Sequence, residues 1–305
     1  MAHLTGGVGE ERPASMVSAP RGWAPRRPAI ALVAVAAAIG GAPGCGVFTA
    51  FRADPPGVVV LTDAVALHGD RLTLHVARPL DDAPVKPLVV FASGDGGWFG
   101  RAIDMFRAIA AHGYPVVGFS SRAFLRIERP GHGPLDARHL AADYAALIAR
   151  AKRAEHAPDT ASVILAGWSR GAAFSAIAAT EPGLHGIRGV VAIGLADGED
   201  LRIGDEASDD GPGDAGGTRV WPWLPYQRLR TPGAPPAVVI QAEHDDYLPA
   251  ARARALFGPD APTRRFQAID ARNHRFDGGR AALYDALGDA LAWVEAAARD
   301  AAAGG

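Results

Sequence analysis

An apolar run, Ser162-Val163-Ile164-Leu165-Ala166, passes through Gly167-Trp168-Ser169-Arg170-Gly171 into a small-residue stretch from Ala172 to Thr180. This Gly-x-Ser-x-Gly pattern constrains the fold more than any other feature of the chain. A serine at a tight strand-to-helix turn needs glycine two positions to either side, because a Cβ there would strike the strand or helix packed alongside. The fold must then contain a buried strand, a sharp turn and a helix in that order, and the turn lifts the Ser169 hydroxyl clear of the sheet. With 37 glycines among 305 residues, the bare pattern is not specific. Its meaning depends on the segments around it.

Those segments alternate. Gly57 to Thr62 and the alternating Leu72, Leu74 and Val76 read as an antiparallel hairpin turning at His68-Gly69-Asp70. Leu88 to Ala92 is a buried strand that runs into the Gly-rich loop Ser93-Gly94-Asp95-Gly96-Gly97-Trp98. An amphipathic helix over 101–112, with Ile103, Phe106 and Ile109 on its apolar face, stops at Gly113. Strands follow at Pro115–Phe119, Val190–Ile193, Ala237–Ile240 and Arg265–Ile269, with helices over 135–153 and 279–298. This order predicts an α/β fold with a mostly parallel sheet, helices on both faces and an antiparallel N-terminal hairpin.

The expected organisation is a leader over 1–45, a linker over 46–56, a catalytic domain over 57–299 with an insertion at 197–235, and a tail over 300–305. Arg21, Arg26 and Arg27 precede the short apolar run Ala29–Ile39, and Gly40-Gly41-Ala42-Pro43-Gly44-Cys45 follows it. That is the layout of an export signal, too short for a comfortable transmembrane helix. Cys45 is acylated as in a lipoprotein, the leader is simply cleaved, or it stays as an uncleaved anchor, and Met16 is an alternative start. Export to the periplasm is the expectation in each case, with membrane association through the leader or a lipid anchor. A formal net charge of −2 and the lack of a basic run in the globular part argue against nucleic acid. The single cysteine excludes an internal disulfide and a multi-cysteine metal site. No His/Asp/Glu cluster shows metal spacing, and Gly94–Gly97 lacks the Lys and Ser/Thr of a phosphate-binding loop, so no metal or cofactor is expected.

Serine needs a base that is itself oriented by an acid. Asp245 and His274 follow Ser169 in chain order, each just past an expected strand. This is the order Ser, acid, His of α/β-hydrolases. Asp246 is the alternative acid, and helix N-capping is the alternative role for Asp245. Gly96 and Gly97, with the backbone N–H of Arg170, are the expected oxyanion donors. Asp95, Trp98 and Trp168 are the expected substrate contacts.

The Ser93-Gly94-Asp95-Gly96-Gly97-Trp98 stretch, Pro115-Val116-Val117-Gly118, the elbow and Asn273-His274-Arg275-Phe276 together resemble the VirJ/AcvB family of periplasmic bacterial virulence proteins, over about residues 86 to 297. The resemblance implies an exported α/β-hydrolase acting on a carboxylic ester. It further implies the aminoacyl ester of an aminoacyl-phosphatidylglycerol as substrate. It also implies a second possibility, a non-catalytic partner of type IV secretion proteins; a generic esterase or lipase is a third. The sequence departs from the family at Trp168 and Arg170, at Ala172 and Ala173, where the family often has an acid, and at Ser120-Ser121. Asp197, Glu199, Asp200, Asp205, Glu206, Asp209, Asp210 and Asp214 either attract a cationic head group or form a solvated loop. Trp221, Trp223 and Tyr226 either seat a cap at a lipid interface or pack its core.

Overall fold

The structure, a computed structural model, describes residues 54–80, 86–128, 135–201 and 222–303. The leader with Cys45, Trp221 and the acids from Asp205 to Asp214 lie outside the described residues. An eight-stranded sheet organises the rest. Its strands are β1 (Val58–Leu67), β2 (Asp70–Pro79), β3 (Leu88–Ala92), β4 (Val116–Phe119), β5 (Val163–Trp168), β6 (Ile187–Ile193), β7 (Ala237–Ala242) and β8 (Arg264–Ile269), in the order β1-β2-β4-β3-β5-β6-β7-β8. β2 pairs antiparallel with both β1 and β4, and every pairing from β4 to β8 is parallel. The expected α/β-hydrolase architecture is present.

The hairpin turns on two residues, since Leu67 pairs with Asp70. His68 and Gly69 both take positive φ, 53° and 96°. Two central residues of that hand match the right-handed twist of the strands they join.

The inner strands are apolar on both faces because helices cover both. Leu88, Val90, Val163, Leu165, Val190, Ala192, Ala237 and Val239 point into one core. Val89, Phe91, Ile164, Ala166, Val191, Ile193, Val238 and Ile240 point into the other. Neighbours along each strand thus enter opposite cores, the period of two that a pleated strand imposes. A one-residue slip would exchange the two sets, so burial on both faces fixes the register. The first core is closed by α3 (Ala137–Ala154), α4 (Arg170–Ala179) and parts of α2 (Ser121–Leu125), α5 (Pro225–Leu229) and α6 (Ala250–Phe257). The second is closed by α1 (Arg101–Ala111) and α7 (Arg280–Ala303). α7 thus runs into the expected tail.

Three helices were not foreseen. α2 and α5 have five residues each, too few to display a 3.6-residue period. α6 buries only Ala250, Ala253 and Phe257, so its apolar stripe is mostly alanine. α5 lies in the expected insertion and resolves the choice for two of its aromatics. Tyr226 is 2% exposed and donates its hydroxyl to the Leu195 carbonyl at 2.8 Å, and Trp223 packs against the first core under the Arg228 guanidinium. Both are packing residues. Trp223 also exchanges two backbone hydrogen bonds with Glu199, at 3.0 and 3.2 Å. This bridge ties together the two ends of the segment between them. Among the described residues no helix is long and apolar enough to cross a membrane.

Candidate active site

Chain direction around the sheet reverses between β3 and β5. β3 continues through α1 to β4 on one side, whereas β5 continues through α4 to β6 on the other. A crevice opens at such a point, beyond the carboxyl ends of the two strands. Ser169 sits there, between β5 and α4, with φ 58° and ψ −124°. A non-glycine residue in that region is strained, on the order of 1–3 kcal/mol, and persists only where its surroundings over-determine it. They do so here. The Ser169 amide donates to the Ile193 carbonyl at 2.8 Å, and the Ser169 carbonyl accepts from Ala172 at 2.9 Å. A Cβ on Gly167 would lie 2.2 Å from the Gly171 carbonyl, and one on Gly171 would lie 2.2 Å from the Ala92 oxygen. Both obstacles are backbone, so the spacing expected of the two glycines has a steric cause.

His274 and Asp245 come together from the loops after β8 and β7. His274 Nδ1 lies 2.7 Å from Asp245 Oδ2. Gln241 Nε2 donates to the same oxygen at 3.0 Å, and Oδ1 accepts the amides of Tyr247 and Leu248 at 2.9 and 3.2 Å. Asp245 is 2% exposed, and both of its oxygens are bonded. Asp246 is exposed, and of the two candidate acids it is Asp245 that bonds His274. The N-cap of α6 is Pro249, so Asp245 does not cap that helix. A carboxylate only accepts, so the His274 proton belongs on Nδ1 and Nε2 carries a lone pair. Nε2 is buried without a hydrogen-bond partner among the described residues.

Trp168, expected at the substrate, packs on the histidine. Its ring stacks on the His274 imidazole, with centroids 5.8 Å apart and planes at 25°, and its indole N–H points to the His274 carbonyl at 3.4 Å. It backs the histidine. Tyr247, which is 75% exposed, meets the same imidazole edge-on at 4.8 Å. A Cβ on Gly194 would come 2.9 Å from His274 Cε1 and 3.4 Å from Trp168 Cδ1, so the loop after β6 closes over this stack.

Trp98, expected at the substrate, is half-buried against the second core, stacked on His75 at 4.2 Å and edge-on to Phe106 at 5.1 Å. A Cβ on Gly118 would lie 2.2 Å from its ring. A glycine inside a strand marks such a close approach. Burial pulls the His75 imidazole down to about 4, so it stacks on Trp98 as a neutral ring.

The oxyanion expectation also changes. The Gly97 amide donates to the Gly94 carbonyl at 3.0 Å, and an N–H committed to that turn has no second hydrogen for a substrate. Gly96 lies against the Phe99 ring. The glycine beside the serine is Gly94, where a Cβ would stand 3.2 Å from Ser169 Cβ. The next amide, that of Asp95, donates to no group among the described residues. Asp95 follows Gly94 and Arg170 follows Ser169 as the first residue of α4, so these two residues adjoin the serine along the loop and along the chain. Ser93 and Ser121 anchor the loop. The Ser121 amide donates to Ser93 Oγ at 3.2 Å and its hydroxyl to the Ser93 carbonyl.

The Arg170 side chain ties the elbow to two loops. Nη1 lies 2.9 Å from Asp95 Oδ1, Nε 3.2 Å from Glu199 Oε2, and Nη2 3.8 Å from Asp200. Burial pushes the Glu199 carboxyl up to about 7 against the pull of Arg170. Asp197 lies 3.7 Å from Arg252. Asp197, Glu199 and Asp200, the described members of the acidic segment, thus each lie within 3.8 Å of an arginine. One group with metal-ligand geometry escaped the sequence, because its members come from two strand ends. Glu243, His244 and Asp270, all exposed, bring ligand atoms within 4.8 Å of one another.

Residues 86–196 match the family model of a bacterial virulence protein, VirJ. No curated protein matches in sequence. Among solved structures, a putative dienelactone hydrolase from Klebsiella pneumoniae superposes with a TM-score of 0.55 at 14% identity, covering 78% of this chain and 98% of that one. A thermostable esterase from Pseudomonas putida gives 0.57 at 18%, covering 82% and 86%. Est1E from Butyrivibrio proteoclasticus gives 0.54 at 14%, covering 77% and 99%. At these identities the likeness concerns the fold. With the sheet order it shows the α/β-hydrolase fold, and the likeness to VirJ extends over residues 86–196.

Proposed function

We propose that the chain is a serine ester hydrolase with Ser169 as nucleophile, His274 as general base and acid, and Asp245 as the orienting carboxylate. The observation that carries this reading is the His274 imidazole. One nitrogen is tied to a fully bonded carboxylate, and the other is buried with no partner among the described residues. An unpaired buried acceptor costs about 1–3 kcal/mol, a cost that makes sense where the lone pair has chemistry to do. The strained Ser169 in the neighbouring loop, one residue after the tryptophan that stacks on this ring, supplies the proton.

In this reading Ser169 Oγ attacks the ester carbonyl while Nε2 takes the hydroxyl proton. The tetrahedral oxyanion faces the amides of Asp95 and Arg170, each donor contributing about 3 kcal/mol to the transition state. His274 returns the proton to the leaving alcohol. Water then attacks the acyl-serine, giving its proton to Nε2, and Nε2 passes that proton to Ser169 Oγ as the carboxylic acid leaves. The test is turnover of short-chain p-nitrophenyl esters together with a fluorophosphonate adduct on Ser169. Wild-type protein that neither labels nor cleaves any of them refutes the reading.

The finer proposal is that the ester belongs to an aminoacyl-phosphatidylglycerol, met in the periplasm by a protein held at the membrane through its leader or through Cys45. The resemblance to VirJ and the export-like pattern of residues 21–45 support it. The arginine partners of Asp95, Asp197 and Glu199 weaken the argument from acidic attraction. Lipid analysis of a deletion strain tests it, and accumulated aminoacyl-phosphatidylglycerol is the expected result. A strain complemented by Ser169→Ala with no lipid change points instead to the partner role for secretion proteins.

A further inference from the structure

The turn that carries His274 is held by a side chain the reaction never touches. Arg101 is the first residue of α1, directly after the Ser93–Gly100 loop, and its side chain is 7% exposed. Nε donates to the Arg275 carbonyl at 2.8 Å, Nη2 to Asp277 Oδ1 at 3.1 Å and Nη1 to the Tyr284 hydroxyl at 3.2 Å, with Asp104 3.6 Å from Nη1. The far side of the turn is tied by Asn273. Its Oδ1 accepts the amides of Arg275 and Asp277 at 3.0 and 3.2 Å, and its Nδ2 donates to Asp277 Oδ2 at 3.1 Å. Asp277 thus takes Arg101 on one oxygen and Asn273 on the other. Between them Phe276, fully buried, is held at φ 58°. A bulky residue keeps that conformation only when its neighbours impose it.

We infer that Arg101 is a positioning residue for His274. Its guanidinium clamps the 273–277 turn, fixes where the imidazole lies between Asp245 and Trp168, and links that turn through α1 to the loop bearing the Asp95 amide. The inference rests on the esterase reading. A planar fork is needed, because one head group must reach a carbonyl, a carboxylate and a phenol in fixed directions. A lysine ammonium offers no such fork.

The test compares full-length wild type, Arg101→Ala, Arg101→Lys and Asp277→Asn on p-nitrophenyl butyrate, with Ser169→Ala as the blank. Displacing a base by about 1 Å costs roughly 10²-fold in rate. Arg101→Ala is therefore expected to lose about that much kcat with little change in KM, and to recover part of it in methylguanidinium. Arg101→Lys is expected to remain impaired. Asp277→Asn keeps the shape of the turn and is expected to show a smaller loss, again in kcat. A folded Arg101→Ala with wild-type kcat overturns the inference, as does a loss that methylguanidinium leaves unchanged. Should Arg101→Ala not fold, wild-type kcat in Asp277→Asn overturns it. If wild type is itself inactive, the esterase reading fails separately. The clamp is then judged by the proton resonance of His274 Nδ1–H, which is shifted or lost in Arg101→Ala if the inference holds and unmoved if it does not.

Discussion

Gly171→Ala tests how closely the elbow is pressed onto the neighbouring strand end. The added Cβ would stand 2.2 Å from the Ala92 oxygen and 2.4 Å from the Ser93 oxygen. Carbon–oxygen contacts settle at about 3.3 Å or more, so the two segments must part by about 1 Å. Neither obstacle is a side chain that can swing aside. Ala92 ends β3 and Ser93 begins the loop that carries the Asp95 amide, so the shift separates Ser169 from one of its flanking donors. A displacement of that size is worth roughly 10²-fold in rate, close to 3 kcal/mol and similar to losing one oxyanion donor. Overpacking adds a stability loss of about 1–3 kcal/mol. Gly183→Ala is the control, since nothing lies within 4 Å of the added atom. Urea midpoints and kcat/KM on a p-nitrophenyl ester, per fluorophosphonate-reactive site, separate folding from catalysis. Gly171→Ala with kcat/KM within about threefold of wild type and an unchanged midpoint would refute the reasoning.

Asp245→Asn and Asp246→Asn separate the adjacent acids. The first is expected to lower kcat by about 10⁴, through the wrong tautomer of His274, and the second, at an exposed position, to leave it near wild type. Trp98→Ala is expected to cost about 2–3 kcal/mol of stability, less than a fully buried tryptophan, with KM unchanged; a raised KM at full stability would restore its role as a substrate contact. Glu199 gives a pH signature. Its folded pKa of about 7 lies above the ordinary 4.5, so between those values the native state holds a proton that the unfolded chain releases. The stability from this group is present below the lower value and is lost as pH rises through the upper one. His75, pulled down by burial, acts in the opposite sense below its ordinary value, but it is common to both proteins in the comparison. Glu199→Gln should therefore flatten the fall in urea midpoint between about pH 5 and pH 8, and parallel profiles would argue against the shift.

The strands were legible because burial on both faces writes them as short continuous apolar runs, and the pairing of Asp245 with His274 because chain order limits the choices. What the sequence hid is settled by groups distant in the chain. Whether Trp98 faces the crevice or the core depends on Gly118 of β4 and His75 of β2, and neither carries a local sign of a tryptophan. Whether Gly97 or Asp95 offers an amide depends on one turn hydrogen bond, and four residues with three glycines permit several turns. Gln241, Arg101 and Glu199 hold the site from strand, helix and loop by bonding to carboxylates, carbonyls and amides. Such contacts leave no periodicity to read.

The backbone bridge between Glu199 and Trp223 brings two points of the chain together. Once its two ends are tied, a segment's length enters the folding free energy only logarithmically, about 0.6 kcal/mol for each doubling. The residues between can be lengthened, shortened or exchanged while Ser169, Asp245 and His274 keep their supports in other strands and loops. Glu199 is also the carboxylate that grips Arg170, so the bridge is anchored beside Ser169. If the proposed esterase reading holds, a change of chain length or sequence between the bridged residues is a route to new substrate preferences that leaves Ser169, Asp245 and His274 in place.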